Sequence, residues 1–152
     1  MGKLYMIRHG QASFGSENYD RLSEMGGEQS RTLANHLLAI GLAPDALYSG
    51  AMERQKDTAR AMVDLYGERG VSLPELWIEE AFNEYNSRAI IVSYVADLTG
   101  EDPSLPEDLA NIYTDRKAFQ RVFEKILIRW VTGRYRKPGI VTWEAFRERV
   151  SD

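Results

Sequence analysis

A short apolar run, Leu4-Tyr5-Met6-Ile7, leads directly into Arg8-His9-Gly10. A neutral imidazole is nucleophilic near neutral pH and can attack phosphorus. The adjoining guanidinium offers a planar fork of donors that matches phosphate oxygens, and a glycine lets the backbone pass close to a ligand. A second arginine, Arg54, stands just after Tyr48-Ser49-Gly50-Ala51, where a second β-prone run gives way to a helix. Helix N-termini attract anions through their backbone N–H groups. Glu84, in Phe82-Asn83-Glu84-Tyr85, follows a third extended segment, where a carboxyl group can protonate a leaving oxygen. Glu79 and Glu80 compete for that role; the Asn-Glu spacing favours Glu84. On its own, Arg-His-Gly reads more simply as a strand-end turn with a structural histidine. The set reads differently: a nucleophile, two phosphate clamps and an acid suit phosphoryl transfer.

These residues need strands that end beside one another and helices that begin there. Leu4–Ile7 has the look of a strand buried on both faces, as in a parallel sheet. Leu22 to Ile40 predicts a helix entered through Ser23, with Leu33, Leu37, Leu38 and Ile40 at helical spacing and Gly41 as its stop. Ala46–Ser49 predicts a second short strand, and Met52 to Tyr66 a helix with Ala59, Met62, Val63 and Tyr66 on one face. Leu73–Ile78 reads as a loop into an edge strand. Ser87 to Leu98 is expected to be helical, Gly100 to Pro106 a polar break. The clearest helix is Ala118 to Val131, where Phe119, Val122, Phe123, Ile126, Leu127 and Trp130 form one stripe. Gly133 to Gly139 is a basic loop, and Thr142 can cap a last helix through Val150. Strands alternating with helices imply an α/β fold with a mostly parallel sheet.

The 152 residues suit one domain, and 43% hydrophobic with 28% charged residues is ordinary for a folded protein. No cysteine is present, which removes disulfides, zinc-thiolate sites and thiol catalysis. A net charge of −4 gives no bulk attraction to nucleic acid or anionic lipid. The basic loop Arg134-Tyr135-Arg136-Lys137 therefore reads as solvated rather than as a nucleic-acid patch. The first apolar run is too short for a signal peptide or a membrane span. The expectation is a cytoplasmic domain that binds neither nucleic acid nor membrane.

Leu4-Tyr5-Met6-Ile7-Arg8-His9-Gly10-Gln11 resembles the signature of the histidine phosphatase superfamily, the phosphoglycerate mutase-like family. Leu22-Ser23-Glu24-Met25-Gly26 leading to Gln29 is similar to its first helix. Tyr48-Ser49 followed by Arg54, Asp57-Thr58 and Ala59 is similar to its second motif, and Phe82-Asn83-Glu84-Tyr85 to its acid-bearing segment. The resemblance covers residues 3 to 90, and more loosely Trp143 to Val150. It implies a three-layer sandwich and a phosphohistidine mechanism. His9 attacks the phosphoryl group, Arg8 and Arg54 neutralise its oxygens, and Glu84 protonates the leaving alkoxide. Asn18 and Ser13 are further candidates for a phosphate contact by family pattern. No metal or organic cofactor is implied, and the expected partner is a phosphorylated small molecule or another phosphoester. The segment Ile90–Trp130 is expected as a helical insert over the site.

The sequence also departs from that pattern. Relatives carry a second active-site histidine before a glycine at the end of a later strand, whereas the histidines here are His9 and His36. His36 falls mid-helix and cannot take that place. Few strands and one missing histidine together imply a single, incomplete domain lacking its C-terminal part. A sheet without a central strand exposes an edge and apolar helix faces, so impaired activity and self-association through that edge are expected. The leading function is a phosphomonoester hydrolase-type domain. A phosphoglycerate mutase is the alternative, although it needs added basic contacts that Asn86–Leu98 does not obviously supply. A non-catalytic phosphate-binding module is the third reading.

Overall fold

In a computed structural model, the described residues are 2–13, 18–99, 102, 105–112, 114–133 and 136–151. The fold class is α/β, as expected, and the chain divides into two compact units, Met1–Asn83 and Glu84–Asp152.

The first unit is built on two helices, α1 (Glu24–Ala39) and α2 (Glu53–Glu68). The Ser23 hydroxyl accepts the Gly26 N–H at 3.1 Å and so caps α1. Ala34 and Leu37 of α1 pack on Met62, Leu65 and Tyr66 of α2. Of the expected stripes Leu37, Met62 and Tyr66 are buried, Ile40 is exposed, and Ala34 and Leu65 join the core from outside those stripes. Tyr66 is fully buried, and its hydroxyl donates to the Leu42 carbonyl at 2.8 Å. Burial pushes that phenol above its ordinary value, because the charged form would lose its hydration. Strands β1 (Leu47–Ser49) and β2 (Leu76–Ile78) run parallel, with Tyr48 opposite Trp77. Ser49 at the end of β1 is buried, while Tyr48 and Trp77 are each 55% exposed.

Leu4–Ile7 departs from expectation. These residues form no strand, and Leu4 and Met6 are 87% and 90% exposed. A β-prone run becomes a strand only where its N–H and C=O groups find a ladder, and none is given to it among the described residues. Further on, Ala12 and Leu22 make an antiparallel bridge that closes the loop after His9. A 3-10 turn at Glu80–Phe82, which periodicity did not reveal, ends this unit.

The second unit is helical: α3 (Ser87–Thr99), α4 (Leu105–Ala110), α5 (Arg116–Val131) and α6 (Trp143–Ser151). α4 begins at the end of the stretch read as a polar break. Asp115 caps α5 by accepting the Lys117 N–H at 2.8 Å. Val122, Ile126 and Trp130 of α5 pack on Ile90, Tyr94 and Leu98 of α3 and on Leu105. Trp130 is the hub: its ring lies 4.8 Å from Tyr85, 5.4 Å from Trp143 and 5.8 Å from Phe146. Its indole N–H reaches the Val141 carbonyl at 2.6 Å, so the buried donor is satisfied. Of the basic loop, Arg134 and Tyr135 lie outside the described residues, and Lys137 pairs with Asp97 at 2.7 Å. No helix among the described residues is long and apolar enough to cross a membrane.

Ion pairs tie α4 and its approach to α5. Arg121 donates to both oxygens of the buried Asp108, at 2.5 Å and 3.0 Å, and Lys125 pairs with Asp102. Hydrogen bonds from Arg121 hold the Asp108 carboxyl below its ordinary value of 3.8. A lowered folded-state value contributes stability above the ordinary value and loses it as pH falls. The denaturation midpoint is therefore expected to decline as pH drops below about 4. Asp108→Asn should flatten that decline while lowering the midpoint at neutral pH. Urea titrations at stepped pH check it; an unchanged acid limb in Asp108→Asn contradicts the assignment.

Candidate active site

The loop carrying His9 is pinned to both helices of the first unit. The Gly10 N–H donates to Thr58 Oγ1 at 3.1 Å, and that hydroxyl donates to the Arg54 carbonyl at 2.7 Å, one turn back on α2. Ser30 on α1 donates to the Gly26 carbonyl at 2.8 Å and lies 3.4 Å from the same Thr58 oxygen. The Gln11 N–H reaches Gln29 Oε1 at 2.9 Å, and the Ser23 N–H donates to the Gln11 carbonyl at 2.9 Å. Gly10 and Gly26 let the loop sit directly on α1. A Cβ at Gly10 would fall 2.3 Å from the Gly26 carbonyl oxygen, and one at Gly26 only 2.1 Å from that of Gln11.

His9 and Arg54 come together within this frame. The Nδ1 of His9 lies 2.6 Å from the Gly10 carbonyl. A carbonyl can only accept, so Nδ1 carries the proton. Arg54 Nε donates to His9 Nε2 at 3.1 Å, and a guanidinium can only donate. Both contacts define one tautomer, with the lone pair on Nε2. Nε2 is thus the nitrogen able to attack an electrophile.

Arg54 is buried, with its side chain 6% exposed, and its second partner is Asp20, at 2.7 Å from NH1 to Oδ1. Asp20 Oδ2 accepts the Glu53 N–H at 2.9 Å, at the first residue of α2. Tyr19 places its ring 5.7 Å from the guanidinium carbon, within cation–π range. Asn18 braces this loop: its Oδ1 accepts the Asp20 N–H at 3.0 Å, and its Nδ2 donates to Glu53 Oε2 at 3.2 Å. The Ser13 N–H donates to the Arg21 carbonyl at 2.8 Å on the same loop.

A pocket of about 110 Å³ opens beside this centre, lined by Arg8, His9, Gly10, Gln29, Ser30, Leu33 and Thr58. Arg8 is exposed and contributes to its wall. Of the residues singled out in the sequence, Arg8, His9 and Arg54 are therefore gathered in the first unit, with Asn18 and Ser13 on its neighbouring loop. Glu84 is exposed and opens the second unit. His36 lies exposed in the last turn of α1. Sequence reasoning missed Asp20 as a partner of Arg54. One signal was available: a buried arginine needs an anion, but nothing local indicates which of 23 acids supplies it.

The family model of the histidine phosphatase superfamily (branch 1) matches residues 4–90, more than half of the chain. The chain belongs to that superfamily. It is also similar to a 2,3-bisphosphoglycerate-dependent phosphoglycerate mutase of Parvibaculum lavamentivorans, with 30% identity over 87 residues. That alignment covers 53% of this chain and 40% of the relative.

The glycine contacts generate a paired prediction. Gly10→Ala or Gly26→Ala must move backbone and should destabilise the first unit by about 1–3 kcal/mol, displacing His9. Gly27→Ala, one residue along the same helix with open space around its Cβ, should instead stabilise by about 0.5–1 kcal/mol. Chemical denaturation of the three variants checks this. Equal effects at Gly26 and Gly27 would show that close approach is not what these glycines serve.

Proposed function

We propose that this chain carries out phosphoryl transfer from a phosphomonoester through a phosphohistidine at His9. The observation that carries the reading is the pair of contacts on one imidazole: Gly10 takes the Nδ1 proton, and Arg54 addresses the Nε2 lone pair. In the proposed step, Nε2 forms a bond to phosphorus as the ester P–O bond breaks. Arg54 moves its Nε–H from His9 to a phosphoryl oxygen, and Arg8 supplies a second guanidinium at the pocket wall. These donors oppose the charge that spreads over the equatorial oxygens. Glu84 gives its proton to the leaving alkoxide. Water then attacks phosphorus, Glu84 accepts its proton, and inorganic phosphate leaves. Asn18 and Ser13, on the neighbouring loop, are proposed as further phosphate contacts.

A hydrolase is preferred to a mutase. Similarity to a phosphoglycerate mutase supports the shared first half-reaction, and the second half needs further cations for a second anionic group. α3, which follows Glu84, carries Arg88 as its one base. A histidine to complete the phosphate pocket is not among the 152 residues. Dephosphorylation is therefore proposed to be slow relative to phosphorylation. A phosphate-binding module without catalysis remains the competing reading, and covalent chemistry separates the two.

With p-nitrophenyl phosphate, the expected outcome is a stoichiometric burst of p-nitrophenolate followed by slow turnover. An acid-labile, base-stable phosphoryl group should map to His9 and vanish in His9→Asn. Binding of phosphate without any burst would favour the binding module, and fast turnover would contradict the slow second step. The two-stranded sheet, with Tyr48 and Trp77 each exposed, supports the proposal that copies self-associate through an exposed sheet edge. Sedimentation velocity should then give a coefficient that rises with concentration; a constant monomeric value counts against it.

A further inference from the structure

We infer that Asp20 is the positioning residue of this site, holding the Arg54 guanidinium against His9 Nε2. The inference rests on the reading of His9 as phosphoryl acceptor and Arg54 as phosphate clamp. Asp20 uses its two carboxylate oxygens on two different donors. Oδ1 takes Arg54 NH1 at 2.7 Å, and Oδ2 takes the Glu53 backbone N–H at 2.9 Å. The carboxylate therefore fixes the side chain of Arg54 relative to the backbone of the helix that carries it. A cap alone would need one oxygen, and a simple counter-ion would not need the backbone contact.

The surroundings reinforce this geometry. A guanidinium on a long side chain has several torsions to lose before it can point in one direction. Here it is bracketed by His9 on Nε, Asp20 on NH1 and the Tyr19 ring. Asp20 is itself fixed, since its N–H donates to Asn18 Oδ1 and Asn18 in turn holds Glu53. The Asp20 side chain is 35% exposed while that of Arg54 is 6% exposed, so the carboxylate stands between a buried cation and water. Asparagine cannot replace it. Its amide has one acceptor oxygen, and its NH2 would face either Arg54 or the Glu53 N–H, donor against donor.

The experiment compares the parent chain with Asp20→Asn, Asp20→Glu and Arg54→Ala. Two quantities are read: solvent exchange of the Arg54 Nε–H by 15N NMR, and the burst rate with p-nitrophenyl phosphate. Asp20→Asn is expected to expose the Nε–H at least about tenfold and to slow the burst by about 10- to 100-fold, as sub-ångström misplacement of a reacting group does. Backbone amides of α2 should stay protected, and Asp20→Glu, with two oxygens, should recover part of both readouts. Unchanged Nε–H protection in Asp20→Asn overturns the inference. So does a slower burst that merely follows loss of α2 protection, which would leave Asp20 a helix cap. A burst that keeps its parent rate in Arg54→Ala undoes the reading of Arg54 as phosphate clamp instead, and absence of any burst in the parent chain undoes the phosphotransfer reading. In either case the Nε–H exchange still decides the role of Asp20.

Discussion

A cation withdrawn from water is the constraint on which the first unit depends. Arg54 sits near the start of α2 with almost none of its side chain exposed, where desolvation would cost several kcal/mol without partners. Its partners come from separate stretches of chain: His9 from the loop after the first apolar run, and Tyr19 with Asp20 from the loop before α1. Satisfying one guanidinium thus draws two loops to the start of α2. Thr58, one turn later, extends the same logic by linking the Arg54 carbonyl to the Gly10 N–H. His9 and Arg54 share a single hydrogen-bonded frame.

This frame explains why two glycines recur where chain meets helix. Gly10 and Gly26 face one another across an approach too close for any Cβ, and the closeness brings His9 within reach of α2. Further along the chain, Gly50 also lacks room for a Cβ, but its nearest neighbour is the Gln55 side chain, which can swing aside. The three positions look alike in sequence and differ in what blocks them. Backbone obstacles dictate glycine; mobile side chains only favour it.

What could be read in advance divides by distance along the chain. The Ser23 cap, Leu37, Met62 and Tyr66 in the core of the first unit, and the Val122–Ile126–Trp130 ridge all follow from local spacing. The runs at Leu47–Ser49 and Leu76–Ile78 were legible as short strands, and they pair in parallel as alternating strands and helices imply. The grouping of Arg8, His9 and Arg54 was legible because the residue types suggested one site and three motifs occur in family order; the structure gathers them in the first unit. The failures are non-local. Leu4–Ile7 has strand composition, but composition does not supply a neighbouring strand. Asp20 and Arg54 are 34 residues apart, and no periodicity connects a loop acid to a helix base. The Glu80–Phe82 turn escaped because three residues are too few for a pattern to show.

The hydrogen bond from Arg54 to His9 carries a chemical consequence. While that N–H rests on Nε2, the lone pair is occupied and the imidazole is a poor nucleophile. An anionic oxygen is a stronger acceptor for a guanidinium than a neutral imidazole nitrogen. A phosphoryl group entering beside His9 can therefore take the N–H for itself and free the lone pair in the same movement. A neutral electrophile of similar shape has no such claim on the guanidinium and would meet a blocked nitrogen. Selectivity for phosphoesters would then come from exchange of one hydrogen bond, with Asp20 keeping the cation close enough to make it. On the proposed reading, the bond that quiets the histidine is one that an entering phosphoester is well equipped to break.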